Sequence, residues 1–281
     1  MKTLILAANP GAYFYPWVNS ASVRVLPPAS GLALARRFGK IILVNGIEQS
    51  CLFDPVLDNT DRYFFLWDPA RCPFYAPAPD VLERLKQRHK VYSFQEEDCR
   101  AFGLQFNSTM YAPPPPGLLP EAPGICCDLL FLGVPKDRLP LLRTLHGKLH
   151  EMGLRACFRI ALTGCENLAP EQGGGWLVTR DWIPYPVYLH WVQQSRAILD
   201  IYQAIQTGFS LRVMEHIFFG KKLVTNNAVI QKAAFYHPDN IFLLQKDDIA
   251  CLKDWLDLPF VPIDENIKNY YRLENWIERF A

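Results

Sequence analysis

The chain has 281 residues, half of them apolar, which is typical of two domains that each bury a modest core. Lysine and arginine total 29 against 28 aspartates and glutamates, so the net charge gives no electrostatic case for a nucleic-acid partner. The sequence has no apolar run long enough to predict a membrane-spanning helix.

The first half alternates short apolar runs with helical stretches. The run Leu4–Ala8 is followed by the turn residues Asn9, Pro10 and Gly11, so it is interpreted as a first strand rather than a signal peptide. Neither a GxGxxG motif nor a Walker A sequence follows it, which weakens a dinucleotide-binding interpretation. Further strands are predicted at 41–44, 63–67 and 90–94, and helices at 30–38, 79–88 and 96–102.

A proline-rich segment separates the two halves. Six of the thirteen residues from 112 to 124 are proline, which excludes a helix or a central strand there. This composition predicts a semi-rigid linker. We therefore expect a first domain at 1–112, a linker at 113–124, a second domain at 125–262 and a C-terminal helix at 263–281.

The second half repeats the alternation. Its predicted strands are 129–132, 156–162, 197–201 and 241–244, and its predicted helices are 139–152, 186–194, 210–219, 247–256 and 265–280. The stretch 163–184, with its triple glycine, is predicted to be a loop. Strands that alternate with helices indicate an α/β fold: two Rossmann-like domains with parallel sheets facing across a cleft.

Eight cysteines are scattered along the chain, without a CxxC pair or a Cys/His cluster of zinc spacing. Scattered cysteines in a chain of this size fit reduced thiols. We therefore expect a cytoplasmic protein with no metal site.

The stretch from 195 to 227 combines a strand, a polar loop, a helix and a short strand. Ser210 is placed to cap the helix, which is predicted to end at Gly220. In α/β proteins, phosphate groups bind at such a helix end beyond the carboxyl end of a strand. Arg212 lies where it could meet a phosphate, and Glu215 lies one turn further on. Spacing alone leaves the simpler alternative open, a surface ion pair on an amphipathic helix.

The run 206–215, QTGFSLRVME, followed by 220–227, GKKLVTNN, resembles the donor-binding segment of GT-B-type glycosyltransferases. The chain further resembles a bacterial lipopolysaccharide and capsule biosynthesis group, similar to the CgeB-like glycosyltransferases, in the stretches 63–67, 91–94 with Asp98 and Cys99, 128–133 and 237–241. These stretches span most of the chain. The resemblance implies that the last helix crosses back to the first domain.

On this resemblance, the donor nucleotide is held by a group of residues in the second half. Gly208, Ser210 and Arg212 would stabilise the leaving phosphate, and Glu215 would bind the ribose. Retaining GT-B enzymes often carry a glutamate eight positions before the one at Glu215, and here that position is Thr207, so the anomeric outcome stays open.

Other donor contacts follow from position in the chain. Asn226 and Asn227 come after a strand and could line the same crevice or form a turn. Tyr185 could stack on the base or be a half-buried aromatic side chain. Gln206 could bond to the donor or to its own loop.

The catalytic base is expected in the first domain. Asp68 directly follows the third predicted strand and is the first choice, while Asp98 falls inside a short helix. Arg24 and Asn45 lie near strand ends and are candidate contacts to the acceptor or to a phosphate. The alternative for each is a solvated or capping side chain.

The sequence is therefore interpreted as a cytoplasmic, metal-independent glycosyltransferase. It would use a nucleotide-sugar as substrate, with no cofactor and no nucleic acid, and transfer the sugar to a bacterial surface glycan or lipid-linked acceptor. A lipid-linked acceptor would place it at the inner face of the plasma membrane. Two alternatives keep the fold: a non-catalytic nucleotide-sugar-binding protein and a nucleotide-sugar epimerase.

Overall fold

The computed structural model describes residues 2–8, 16–58, 60–71, 77–135, 137–162, 169–181, 183–203 and 206–281. The chain divides into two compact units. Unit 1 combines Met1–Pro114, Ile205–Gly208 and Tyr270–Ala281, and unit 2 combines Pro115–Ala204 and Phe209–Asn269. The domain boundaries that we expect from the sequence remain a prediction, separate from this division into units.

Both units are built from strands that alternate with helices. The strands are β1 Thr3–Leu6, β2 Val23–Leu26, β3 Lys40–Val44, β4 Asp61–Leu66, β5 Lys90–Ser93, β6 Gln105–Phe106, β7 Cys127–Gly133, β8 Ala156–Ala161, β9 Glu171–Gly173, β10 Trp176–Thr179, β11 Ser195–Asp200, β12 Lys222–Thr225 and β13 Ile241–Leu243.

The α-helices are α1 Pro28–Gly31, α2 Gln49–Leu52, α3 Pro79–Arg88, α4 Glu96–Phe102, α5 Leu139–Glu151, α6 Tyr185–Gln193, α7 Leu211–Phe219, α8 Leu252–Asp257, α9 Glu265–Tyr271 and α10 Leu273–Glu278. Short 3-10 helices lie at Pro16–Val18, Leu32–Arg37, Pro55–Leu57, Ala228–Lys232 and Ile249–Cys251.

Unit 1 contains a six-stranded, fully parallel sheet in the order β2-β1-β3-β4-β5-β6. Every residue of β3 is buried, as expected for a central strand covered on both faces. Segment 270–281 packs on this unit: the Trp276 ring lies 5.0 Å from that of Phe65, and Lys40 Nζ donates to the carbonyls of Ile277 (3.0 Å) and Phe280 (2.6 Å).

Unit 2 contains a seven-stranded sheet in the order β13-β12-β11-β7-β8-β10-β9, in which only the β9–β10 pair is antiparallel. β11 and β7 are central neighbours, with Ile198 paired to Leu130. Their carboxyl ends therefore lie at the same edge of the sheet, which is where α/β proteins bind ligands. The structure thus has an α/β fold with two sheets of mostly parallel strands.

The predicted loop 163–184 is wrong in part, because it contains the β9–β10 hairpin. Gly174 and Gly175 connect the two strands with φ of 54° and 83°. Two consecutive residues of positive φ form the tight turn that suits a hairpin, and glycine adopts them without strain. Of the triple glycine, Gly173 thus ends β9, and Gly174 and Gly175 form the turn. Residues 163–168 and 182 lie outside the described residues.

The predicted helix 265–280 is interrupted. Arg272 is extended, with φ −63° and ψ 143°, and separates α9 from α10. Here the backbone pairs with Tyr111, whose N–H donates to Tyr271 O and whose carbonyl accepts from Leu273 N. This pairing replaces the helical hydrogen bonds. The sequence interpretation also missed the short edge strands β2 and β6.

None of the helices in the described part of the chain has the length and apolar character that crossing a membrane requires.

Candidate functional site

The amino end of α7 is capped by Ser210, as the sequence predicts. Ser210 is extended and its Oγ accepts from Arg212 N at 3.1 Å. The same hydroxyl donates to Asp200 Oδ2 at 2.9 Å. Gly220 ends the helix in the left-handed conformation with φ 61°. One serine therefore joins the helix tip to the last residue of β11.

Asp200 is a buried carboxylate at the carboxyl end of β11, only 1% exposed. Burial raises its pKa, while Arg212 favours the charged form, with Nη1 3.6 Å from Asp200 Oδ1. The sequence interpretation missed Asp200. The available signal was an acidic residue at the end of an apolar strand that leads into a phosphate-binding type of loop.

Two arginines lie against the Phe131 ring, with the Arg212 guanidinium 5.1 Å and the Arg138 guanidinium 5.7 Å from its centre. Arg212 Nη2 donates to the carbonyl of Leu132, and its buried Nε has no acceptor among the described residues. A side chain at Gly133 would meet Arg212 Nη2 at 2.5 Å, so the guanidinium would have to shift to make room for it.

Arg138 follows β7 and precedes α5. Its Nη1 donates to Ile201 O and its Nη2 to Val134 O, both at 2.5 Å. Burial, followed by the charge of Arg212, lowers the pKa of Arg138 to about 10. Arg138 therefore remains a cation at neutral pH. Sequence reasoning missed it because the contact with the β11 end joins residues 63 positions apart.

Glu215 is 1% exposed and holds two phenol hydrogen bonds. Tyr185 donates to Oε1 at 2.7 Å and Tyr188 donates to Oε2 at 2.5 Å. Burial raises the pKa of Glu215 to about 7, although both tyrosines and Arg212 favour the charged form. The charges of Arg212 and Arg138 thus both act on the buried Asp200, and near neutral pH Arg212 also acts on a partly protonated Glu215. The cluster can balance an anionic ligand.

Other predicted donor residues are held by local hydrogen bonds. The Asn226 side chain binds both backbone polar groups of Tyr202. It accepts from the N–H at 2.7 Å and donates to the carbonyl at 3.3 Å. Asn227 Oδ1 caps the following 3-10 helix by accepting from Val229 N at 3.0 Å. The Tyr185 ring lies 5.8 Å from that of Tyr188.

Gln206 and Gly208 belong to unit 1, whereas Ser210, Arg212 and Glu215 belong to unit 2. Gln206 Nε2 lies 3.5 Å from Gly208 O. The N–H of Gly208 donates to Gln95 Oε1 at 3.3 Å and is therefore already paired. The Ser210 N–H is also paired, with Tyr202 Oη at 2.9 Å.

In unit 1, Asn45 and Asp68 lie together after β3 and β4. Asn45 Nδ2 donates to Asp68 Oδ2 at 3.0 Å, and Asn45 Oδ1 accepts from Trp67 N at 2.5 Å. Asn45 is buried and Asp68 half-buried. Arg24 is exposed on the edge strand β2, two strands away from β3 in the sheet. The structure therefore pairs Asn45 with Asp68 and leaves Arg24 apart.

A cavity of about 310 Å³ lies at this edge of the unit 1 sheet. Asn45 and Glu48 give it polar walls, while Phe64 and Val81 contribute apolar surface. Such a mixed lining fits a group that carries hydroxyls on an apolar frame.

No protein-family model matches the sequence, and no curated protein matches it. Solved structures do match. A DNA-modifying β-glucosyltransferase is similar over 100% of this chain and 98% of its own, with 14% identity and a TM-score of 0.53. A T4 phage β-glucosyltransferase gives the same coverage and TM-score at 13% identity. AviGT4, a glycosyltransferase of avilamycin A biosynthesis, is similar over 99% of this chain and 83% of its own, with 13% identity and a TM-score of 0.55.

At these identities the comparisons establish the fold, which is that of GT-B glycosyltransferases. The expected α/β fold with two mostly parallel sheets is therefore confirmed. The narrower resemblance to the CgeB-like lipopolysaccharide and capsule group stays a prediction.

Proposed function

We propose that this chain is a glycosyltransferase that uses a nucleotide-sugar donor. The observation that carries the proposal is the pair Arg138 and Arg212 beside Asp200, at the sheet edge where the Ser210-capped helix α7 begins. A diphosphate is the ligand class that two guanidinium groups at a helix tip match best. The fold shared with glycosyltransferases supports this choice.

The donor contacts can be assigned from the cluster. Arg138 and Arg212 would stabilise the negative charge that grows on the diphosphate as the glycosidic bond breaks. Glu215 would accept from a ribose hydroxyl, because each carboxylate oxygen can accept a second hydrogen bond beside that of its tyrosine. Gly208, Ser210, Gln206, Asn226, Asn227 and Tyr185 stay proposed donor contacts.

Asp68 is the proposed catalytic base. The amide of Asn45 donates to Asp68 Oδ2 at 3.0 Å and orients the carboxylate, which would take a proton from an acceptor hydroxyl. Asp68→Asn should abolish most turnover and leave the nucleotide dissociation constant unchanged. A full rate in this variant would reject the role.

Nucleotide binding tests the donor site. UDP-sugars come first, because the β-glucosyltransferase uses uridine diphosphoglucose as its substrate. Arg212→Ala should weaken UDP binding by about 1.5–3 kcal/mol, since a charge-assisted hydrogen bond is lost. Arg138→Ala should act in the same direction, and Arg212→Lys should fall between. Titration calorimetry measures each constant.

The matched control is Arg143→Ala, an exposed arginine of α5 that pairs with Glu171. It should bind UDP as the wild type does. A thermal melt must first establish that Arg212→Ala is folded, because this change leaves Asp200 buried without its ion pair. An unchanged constant in folded Arg212→Ala would remove the basis for the site.

For the acceptor, we propose a bacterial surface glycan or lipid-linked saccharide that docks in the unit 1 cavity beside Asn45. With a lipid-linked acceptor, the protein would work at the inner face of the plasma membrane. The acceptor assay should include duplex DNA, because one structural relative is a DNA-modifying enzyme. Transfer to DNA alone would replace the glycan proposal.

The remaining alternatives separate in the same assay. Binding without turnover over a broad acceptor panel would favour a non-catalytic nucleotide-sugar-binding protein. Isomerised donor without an acceptor would favour an epimerase. We propose metal independence and therefore expect transfer to continue in the presence of a chelator.

A further inference from the structure

A buried hydrogen-bond network lies at the carboxyl ends of β4 and β5 in unit 1. Asp98 Oδ2 accepts from Ala70 N at 2.8 Å, Ser93 Oγ at 3.0 Å and Gln95 Nε2 at 3.1 Å. Ser93, Gln95 and Asp98 are between 0% and 4% exposed. Asp98 therefore fixes both the residue that ends β5 and the chain two residues after Asp68.

The other end of the Gln95 amide binds the segment 206–208. Gln95 Oε1 accepts from Thr207 N at 2.6 Å and from Gly208 N at 3.3 Å. All of these residues belong to unit 1. Gly208 also lies against Phe94, where a side-chain carbon would come within 2.6 Å of the Phe94 carbonyl oxygen. The segment is thus held by its backbone at a close approach that only glycine permits.

The orientation of the Gln95 amide follows from its partners. An ionised carboxylate only accepts hydrogen bonds and a backbone N–H only donates them. The nitrogen must therefore face Asp98 and the oxygen must face Thr207 and Gly208. With the two ends exchanged, both N–H groups and the carboxylate would meet like partners.

We propose that Gln95 is a positioning residue for the transfer reaction, an inference that rests on the proposed function. Its oxygen fixes Thr207 and Gly208, and Gly208 is itself one of the proposed donor contacts. Its nitrogen binds Asp98, which fixes Ala70 two residues beyond the proposed base Asp68. One buried amide thus sets the backbone next to a donor contact and next to the base.

The test variant is Gln95→Met, which keeps the length of the side chain and removes both polar atoms. Without its acceptor, the 206–208 segment loses two hydrogen bonds, and we expect UDP-sugar binding to weaken by about tenfold. Backbone amide exchange at Thr207 and Gly208 should become faster by about tenfold or more. Gln87→Met, an exposed glutamine of α3, is the matched control and should leave both quantities unchanged.

The two measurements separate a positioning role from a structural one. A glutamine that only stabilises unit 1 would lower the melting temperature and leave the dissociation constant unchanged well below the melting range. That result would overturn the inference. If the wild-type protein binds no nucleotide, the proposed function fails. Faster exchange in Gln95→Met that is confined to Thr207 and Gly208 would still show that Gln95 holds this segment.

A second variant keeps the test possible if Gln95→Met does not fold. Gln95→Asn keeps both polar groups but is one carbon too short to bridge Asp98 and the segment, so it should resemble Gln95→Met. If neither variant folds, exchange in the wild type decides. Slow exchange at Thr207 and Gly208 would support the two hydrogen bonds to Gln95. Exchange at the rate of an unstructured peptide would overturn the inference.

Discussion

Glu215 shows how burial shapes a single residue. Its carboxylate receives two phenol hydrogen bonds and still keeps a raised pKa of about 7, because desolvation outweighs the bonds. A carboxyl whose pKa is higher in the folded chain than its ordinary 4.5 binds its proton more tightly when folded. Its contribution to stability is therefore lost as the pH rises between these two values.

This sign gives a prediction for Glu215→Gln. Relative to this variant, the wild type should lose about 3 kcal/mol of unfolding free energy between pH 4.5 and pH 7. Asp200, whose pKa burial also raises, is present in both proteins and titrates in both pH profiles. Urea denaturation at several pH values measures the effect, with the exposed Glu151→Gln as control. Parallel pH profiles would contradict it.

At the scale of elements, two glycines of unit 2 helices occupy opposite situations. Gly220 follows α7 at φ 61°, a backbone conformation that is strained for residues that carry a side chain. Gly147 lies inside α5, and an added carbon there would meet no atom within 4 Å outside the backbone of its own helix. Glycine is thus required at the end of one helix and is a cost in the middle of the other.

We therefore expect opposite effects from the same change. Gly220→Ala should lower the unfolding free energy by about 1 kcal/mol, because alanine is strained at positive φ. Gly147→Ala should raise it by about 0.5–1 kcal/mol, because alanine is the better helix former. Each variant is the control for the other in thermal unfolding. Changes of equal sign would refute the argument.

The elements also show what the sequence can and cannot predict. The strand, cap, helix and Gly220 of the 195–227 segment follow from local signals, and the structure confirms them. Arg138 and Asp200 meet only because β7 and β11 are neighbours in the sheet, a pairing that no local pattern carries. The same holds for Gln95 and Thr207, which lie 112 positions apart. The sequence therefore predicts the tip of the helix, but it does not predict the groups that surround it.

At the scale of the whole molecule, unit 1 is discontinuous in the chain. Trp276 is fully buried and Phe280 nearly so, and both pack on aromatic side chains of the sheet. Lys40 on the central strand β3 places its ammonium on two carbonyls of the same segment. The segment 270–281 is therefore part of the core of unit 1.

Trp276→Ala tests this dependence. It should cost about 3–5 kcal/mol, the range for removing a large buried aromatic side chain. Hydrogen exchange should rise in β1, β3 and β4 and stay unchanged in β7 and β11, since these belong to unit 2. Tyr270→Ala, at a side chain that is 42% exposed, is the control. A rise spread evenly over both sheets would argue against separate folding units.

The three-part composition of unit 1 sets an order of events during translation. A ribosome delivers residues 1–114 first, yet the strands they form lack Trp276 and Phe280 until the stretch after Asn269 has emerged. Every residue of unit 2 precedes that point. The unit whose synthesis starts first is thus the last to be completed, the reverse of the usual order in which domains mature from the amino terminus. Nascent unit 1 therefore exposes the aromatic rings that Trp276 and Phe280 later cover, and we expect this delay to increase its dependence on chaperones.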